Sequence, residues 1–333
     1  MNLPESIRVL RWMIRDTFRQ SLATKLFWVM ISVTAVCTLL CLSLRVEGDL
    51  PAVTELDLPL VLPKQEAKKL PPENLKADGV RVISGEVSVG FGAMTVPLGR
   101  NREDAVRFVQ VLLAGGVGDT AGVLLALLWT AGFLPSFLEP HSATVLLAKP
   151  APRWLILLGK AFSVIVFVAL QATLFVGATW LALGISTGIW TGAYWLAVPL
   201  LVLNFGIFYS VSTFLAVWTR STVVCIFGVF LFWLFCWIMN YSHHRLVTFP
   251  GEGVASVSLP IMEVGYWLFP KPVDLGAIFY DALRAEAFQV RPIEVLKLQE
   301  AGQFYPELAV TSSLLFGIVV FALAAYEFRE IDY

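Results

Sequence analysis

Charge is what this 333-residue chain lacks most. Asp, Glu, Lys and Arg make up 15% of it, against about a quarter in a typical soluble domain. Hydrophobic residues make up 57%, and the mean hydropathy is +0.75. A water-soluble fold of this composition would expose more apolar surface than such folds tolerate. An integral membrane protein is therefore expected. The net charge of −1 and the want of a basic tail give nucleic acid no footprint. Cysteine is also sparse. Cys37, Cys41, Cys225 and Cys236 all fall inside apolar runs, where they read as small buried hydrophobes and not as a disulfide framework or a metal site. Catalytic motifs are missing as well. The chain has no HExxH, no GxSxG and no P-loop, since Gly159-Lys160 lacks both the upstream glycine and the following Ser or Thr. No chemistry in this chain, and no cofactor of its own, is expected.

Apolar length is what the chain has in abundance. A membrane helix needs about 20 mostly apolar residues. Residues 26–44 fit, flanked by Lys25 and Arg45. They are too long for a signal-peptide core, and no small-residue cleavage site follows. A second span is expected at 118–138. Residues 161–219 contain no charge at all, so they must hold two spans, at 161–183 and 195–218, joined by the turn "GISTGIWTGAY". Residues 221–239 and 308–326 complete a set of six. Trp28, Trp154, Trp195, Trp218, Trp237 and Tyr326 mark span ends as an interfacial aromatic belt. The spans carry no deep Asp, Glu, Lys or Arg, which argues against an ion-coupled carrier or an intramembrane protease. If the protein moves something, its energy enters elsewhere.

Lys and Arg in short flanks set the orientation. Arg8, Arg11, Arg15, Arg19 and Lys25 precede the first span. Lys149, Arg153 and Lys160 follow the second, and Arg220 follows the fourth. Both termini are therefore expected in the cytoplasm, with residues 45–117 and 240–307 outside and 327–333 as a cytoplasmic tail. In the first outer segment, "VRVISGEVSVGFGAMTVPL" alternates like two or three short strands. The second outer segment has apolar pieces too short to span, which suit short interfacial helices. The expected class is an all-α integral membrane protein with a small extracytoplasmic α/β insertion.

Several residues invite a role. In residues 1–25, Arg8, Arg11, Arg15 and Arg19 share one narrow helical face, with Leu10, Met13 and Ile14 opposite. Such a helix suits the cytoplasmic interface, facing headgroups or a partner; a plain positive-inside flank has the same pattern. Asp119, in "GGVGDTAG", reads as an acid at the N-terminus of the second span, complementing the helix dipole. His243 and His244 read as an interfacial pair, because no Cys, Asp or Glu stands at ligand spacing. Gln171 and Asn204 are polar at membrane depth; they could line a substrate path, although hydrogen bonding between packed helices is the commoner use.

Residues 139–160 read "EPHSATVLLAKPAPRWLILLGK". Ser142 is a good N-cap for a short helix, "ATVLLAK", which Pro150 and Pro152 end. The helix is too short to span and carries an apolar patch at Val145, Leu146 and Leu147. It suits a knob for a partner's groove or a simple charged turn. The stretch "FLEPHSATVLLAKPAPRWLILLGK" resembles the cytoplasmic loop of type-2 ABC transporter permeases. Glu139, the helix 143–148, Pro150, Arg153, Gly159 and Lys160 follow that loop's order. "IRDTFRQSLATKLFWVM", "LFPKPVDL" and the closing "FREIDY" are similar to the same family. The resemblance implies a dimeric permease, with a second copy or a related chain, in the cell's cytoplasmic membrane. It implies a separate cytoplasmic ABC ATPase subunit that binds ATP and Mg. It implies coupling contacts at Glu139, Ser142, Val145, Leu146, Lys149 and Arg153, with the arginine face as a second contact or a headgroup anchor. An exporter fits this picture. A non-transporting membrane scaffold whose outer segment binds a partner is the alternative.

Overall fold

A computed structural model describes residues 3–47, 60–63, 80–83, 86–97, 102–138, 153–249, 258–283 and 293–330. Six helical segments among these are long and apolar enough to cross a membrane. The chain opens with α1 (Leu3–Ala23) and turns at Thr24 into α2 (Lys25–Leu42). The third helical segment, α3, runs from Arg102 to Phe137. Then come α4 (Arg153–Thr187), α5 (Ala197–Thr219) and α6 (Thr222–Thr248). Three short helices follow, α7 (Ser258–Leu268), α8 (Pro272–Leu283) and α9 (Ile293–Glu300), and α10 (Pro306–Glu330) closes the chain.

Helix α5 is the hub. Its neighbours are α4, α6 and α10, and Phe205, Phe208 and Tyr209 on it are fully buried. The most extensive contact is with α10, where Gly317 packs against the backbone at Ile207: a methyl group at Gly317 would lie 3.4 Å from the Ile207 Cα. Between apolar helices, where lipid gives no hydrophobic drive to associate, such close packing is the main source of cohesion. Helix α2 lies along α4, and α6 and α10 leave most of their apolar surface uncovered.

The spans differ in extent from the apolar runs that signalled them. The second begins at Arg102 instead of residue 118, because its first half is amphipathic and glycine-rich and so escapes a hydropathy reading. Within it, Leu112–Gly122 is a π-helix, a wide form that is rare and tends to occur at functional sites. The fifth continues to Thr248 and takes His243 and His244 into a helix. The turn between α4 and α5 is tight. Gly188 there has φ of +75°, and Trp190 folds back onto Gly184, where an added methyl would meet its ring at 2.5 Å.

The expected strands are present. β1 (Arg45–Glu47) pairs antiparallel with β4 (Glu86–Val89), which pairs antiparallel with β5 (Met94–Pro97). The β4–β5 turn passes through Gly90, Phe91 and Gly92, all with positive φ. β2 (Leu60–Pro63) and β3 (Val80–Ile83) form a separate parallel pair. Ser43 at the end of α2 accepts a hydrogen bond from the Gly90 N–H through its Oγ at 3.1 Å, which fixes the sheet to the bundle. The molecule thus has two distinct ends. One carries α1, the end of α3, the start of α4 and the α5–α6 turn. The other carries the sheet and α7–α9.

Candidate functional site: buried polar contacts along the bundle

At the α1 end, a lysine has been drawn into the apolar interior. Lys160 lies two turns into α4 and is 1% exposed. Its Nζ reaches back to α1, 3.3 Å from Asp16 Oδ2 and 3.0 Å from Gln20 Oε1. The rings of Phe133 and Phe137 flank the ammonium at 5.9 and 5.5 Å. An unpaired charge at this depth would be strongly unfavourable, so α1 is held wherever α4 goes. Apolar packing joins the same elements: Phe18 on α1 stands edge-on to Phe167 on α4, with ring centres 4.7 Å apart. Gln20 also donates to Ser136 near the end of α3, and Trp129 Nε1 donates to Thr24 Oγ1.

This arrangement refines the reading of α1. Arg11, Arg15 and Arg19 are exposed, and Met13, Thr17 and Ser21 face the bundle. The basic face is free of the bundle, but the opposite face is docked on protein and not simply laid on a membrane. For Arg8 the structure describes the helical backbone alone. Glu139, Ser142, Val145, Leu146 and Lys149 lie outside the described residues. Arg153 is the first residue of α4. The structure therefore brings α1 together with the helix that emerges from the 139–152 stretch.

Deeper in the bundle, Gln171 and Asn204 both serve helix contacts, on different walls. Gln171 Nε2 donates to Thr34 Oγ1 at 3.4 Å, joining α4 to α2. Both line a largely apolar cavity of about 120 Å³ with Met30, Phe175 and Phe205. Asn204 Nδ2 donates to Asp119 Oδ1 at 2.7 Å, joining α5 to α3. Asp119 is therefore not a helix N-terminal acid. It sits inside the π-helix, because α3 starts well before it. Nor are the spans free of ionisable groups, as their runs suggested: Asp119 and Lys160 both lie within spanning helices.

At the opposite end a second polar cluster is almost wholly enclosed. Asp274 in the first turn of α8 is 0% exposed. Its carboxylate lies 2.8 Å from His244 Nε2 and accepts from Tyr266 Oη at 2.7 Å and from Asn240 Nδ2 at 3.2 Å. Asn240 Oδ1 in turn accepts from the Val273 and Asp274 N–H groups, two of the donors that a helix start leaves open. Lys271 donates to Ser312 Oγ at 2.7 Å and lies 4.7 Å from the Tyr266 ring centre. Burial pulls its ammonium down to about 8, against the opposing pull of Asp274. Burial, and then the Asp274 charge, pushes the Tyr266 phenol up. The cluster ties α6, α7, α8 and α10 together. His243 stacks on Tyr266 with ring centres 3.8 Å apart. The two histidines are thus in one packed network, and among the described residues no group of His, Cys, Asp and Glu could hold a metal ion.

Sequence reading missed the roles of Asp16, Lys160, Asp274 and Lys271. The partners are far apart in sequence, and no local pattern joins them. A family model described as ABC-2 family transporter protein matches residues 11–252. No curated protein matches the chain.

Proposed function

The chain belongs to the ABC-2 transporter family, and we propose that it couples ATP hydrolysis by a separate cytoplasmic subunit to export of a substrate. It is a multi-pass membrane protein and a permease subunit, a transport component and not itself the catalyst. In this reading the ATPase subunit binds ATP and Mg and engages the loop of residues 139–160, with Glu139, Ser142, Val145, Leu146, Lys149 and Arg153 as the contact. The exposed Arg11, Arg15 and Arg19 on α1, with Arg8, form a second contact or bind lipid headgroups. Two copies pair in the cytoplasmic membrane, using apolar surface left open on α6 and α10.

The observation that carries this reading is the Lys160 contact. A push on the 139–152 stretch reaches α4 at Arg153. Lys160, less than three turns further on, locks α1 to the same helix through Asp16 and Gln20. Moving α4 alone would strand a buried ammonium, so α1 and α4 shift as one body. The helices packed around α5 can then change their packing in response, as rigid elements do in two-state transitions.

The test uses the permease copurified with its ATPase subunit in nanodiscs. Lys160→Met keeps the length and removes the charge. The permease-dependent part of the ATPase rate should fall about tenfold, a loss of about 1.4 kcal/mol of coupling, with the complex still assembled. An unchanged rate would overturn the assigned role of Lys160. Glu139→Ala and Arg153→Ala should lower the same rate without lowering membrane insertion.

A further inference from the structure

A cleft between α3, α6 and α8 has the chemistry of a cation site. Its volume is about 180 Å³, larger than the engineered apolar cavities of about 150 Å³ that admit benzene. Its walls carry four large aromatics, Trp233, Trp237, Tyr241 and Tyr280, and one carboxylate, Asp119. Trp237 and Tyr241 stack nearly parallel, 5° apart with ring centres at 5.6 Å. Gly115 and Gly276 also line the cleft and keep it open: side-chain atoms at Gly276 would approach Asp119 Oδ2, and at Gly115 they would approach Tyr280 Oη at 3.4 Å.

The carboxylate is positioned by a neutral partner. Asp119 Oδ1 is held by Asn204, and the residue lies in the π-helix on the cleft side of α3. Among the described residues no Lys, Arg or His forms an ion pair with it. An uncompensated carboxylate at membrane depth is unfavourable, and a cation in the cleft would relieve it. Aromatic faces attract cations through the ring quadrupole, and several such faces around one site select weakly hydrated quaternary or tertiary ammonium groups. Trp237 is 42% exposed and Thr120 is also exposed, so the cleft opens sideways at the rim of the bundle.

We propose that this cleft binds an organic ammonium group, with Asp119 as the counter-charge and Trp233, Trp237, Tyr241 and Tyr280 as its aromatic cage. The binding does not rest on the transport reading. It requires the cleft alone, whether the ligand is a free ammonium compound or the headgroup of a choline lipid.

The experiment titrates the full-length protein, in nanodiscs of phosphatidylglycerol, with choline and with its uncharged isostere 3,3-dimethylbutan-1-ol, following tryptophan fluorescence. Choline should bind saturably and about tenfold or more tighter than the isostere, which isolates the charge from shape and apolarity. Asp119→Asn should weaken choline by about tenfold or more and bring the two ligands level. Trp237→Leu, at the rim, should weaken choline by about 2- to 30-fold with little effect on the isostere. It carries the test if Asp119→Asn does not fold. Nanodiscs of phosphatidylcholine separate the two sources: lost choline response there identifies the lipid headgroup as occupant, and retained response identifies a soluble ammonium compound. No saturable choline binding in phosphatidylglycerol, equal affinity for the isostere, or full affinity in both variants would overturn the site.

Discussion

Lys271 and Asp274 show how strongly single residues at the sheet end depend on one another. Asp274 accepts from Tyr266 and Asn240 and faces His244. Removing one partner of such a buried set leaves the others uncompensated, at about 3–5 kcal/mol. Asp274→Ala should therefore lower the melting temperature in detergent far more than Arg107→Ala, whose partners Glu103 and Asp104 form an ion-pair set at the surface. Lys271 makes a pH-dependent prediction. Its folded value of about 8 lies below the ordinary lysine value of about 10.4. The unfolded chain thus holds more protons between those values, and stability rises with pH across that window. Below about 8 the cost of the buried ammonium is fully present. Melting measured from pH 7 to 10 should rise in the wild type, and the rise should be smaller in Lys271→Met. Neither partnership was legible in the sequence, because Asn240, Asp274 and Ser312 meet only when α6, α8 and α10 converge.

Among the elements, the spanning helices were the most legible and their polar punctuation the least. The charge-free run of residues 161–219 required two helices, and α4 and α5 occupy it. The short strands after residue 79 announced themselves by alternation. The first half of α3 did not, because Arg102–Val111 is amphipathic and Leu112–Gly122 is glycine-rich; neither looks like a membrane helix. Asp119 was misplaced as a result. Packing between α5 and α10 depends on a residue whose importance only the structure reveals. Gly317→Leu would force side-chain atoms into the Ile207 backbone and Ser210. Overpacking of this kind costs about 1–3 kcal/mol. Its melting temperature should fall, whereas Leu170→Ala, at a position 51% exposed on α4, should leave it nearly unchanged.

Across the whole molecule, the proposed coupling rests on an asymmetry between two ends. At the α1 end, one buried lysine joins α1 to α4 next to the stretch expected to meet the ATPase. At the other end, an enclosed hydrogen-bonded cluster holds α6, α7, α8 and α10 together. The family was legible in residues 139–160 and the number of spans; the mechanical link was not, since Asp16 and Lys160 stand 144 residues apart. The four native cysteines are buried, which permits selective labelling of introduced ones. The most direct test places a single new cysteine at Val145 or, as a reference at the opposite end, at Phe91, and cross-links intact membranes containing the ATPase subunit. The predicted result is an adduct between Val145→Cys and the ATPase subunit, and none from Phe91→Cys, which instead reacts with an impermeant reagent from outside. No ATPase adduct at Val145, or both positions reacting from the same side of the membrane, would contradict the proposed coupling.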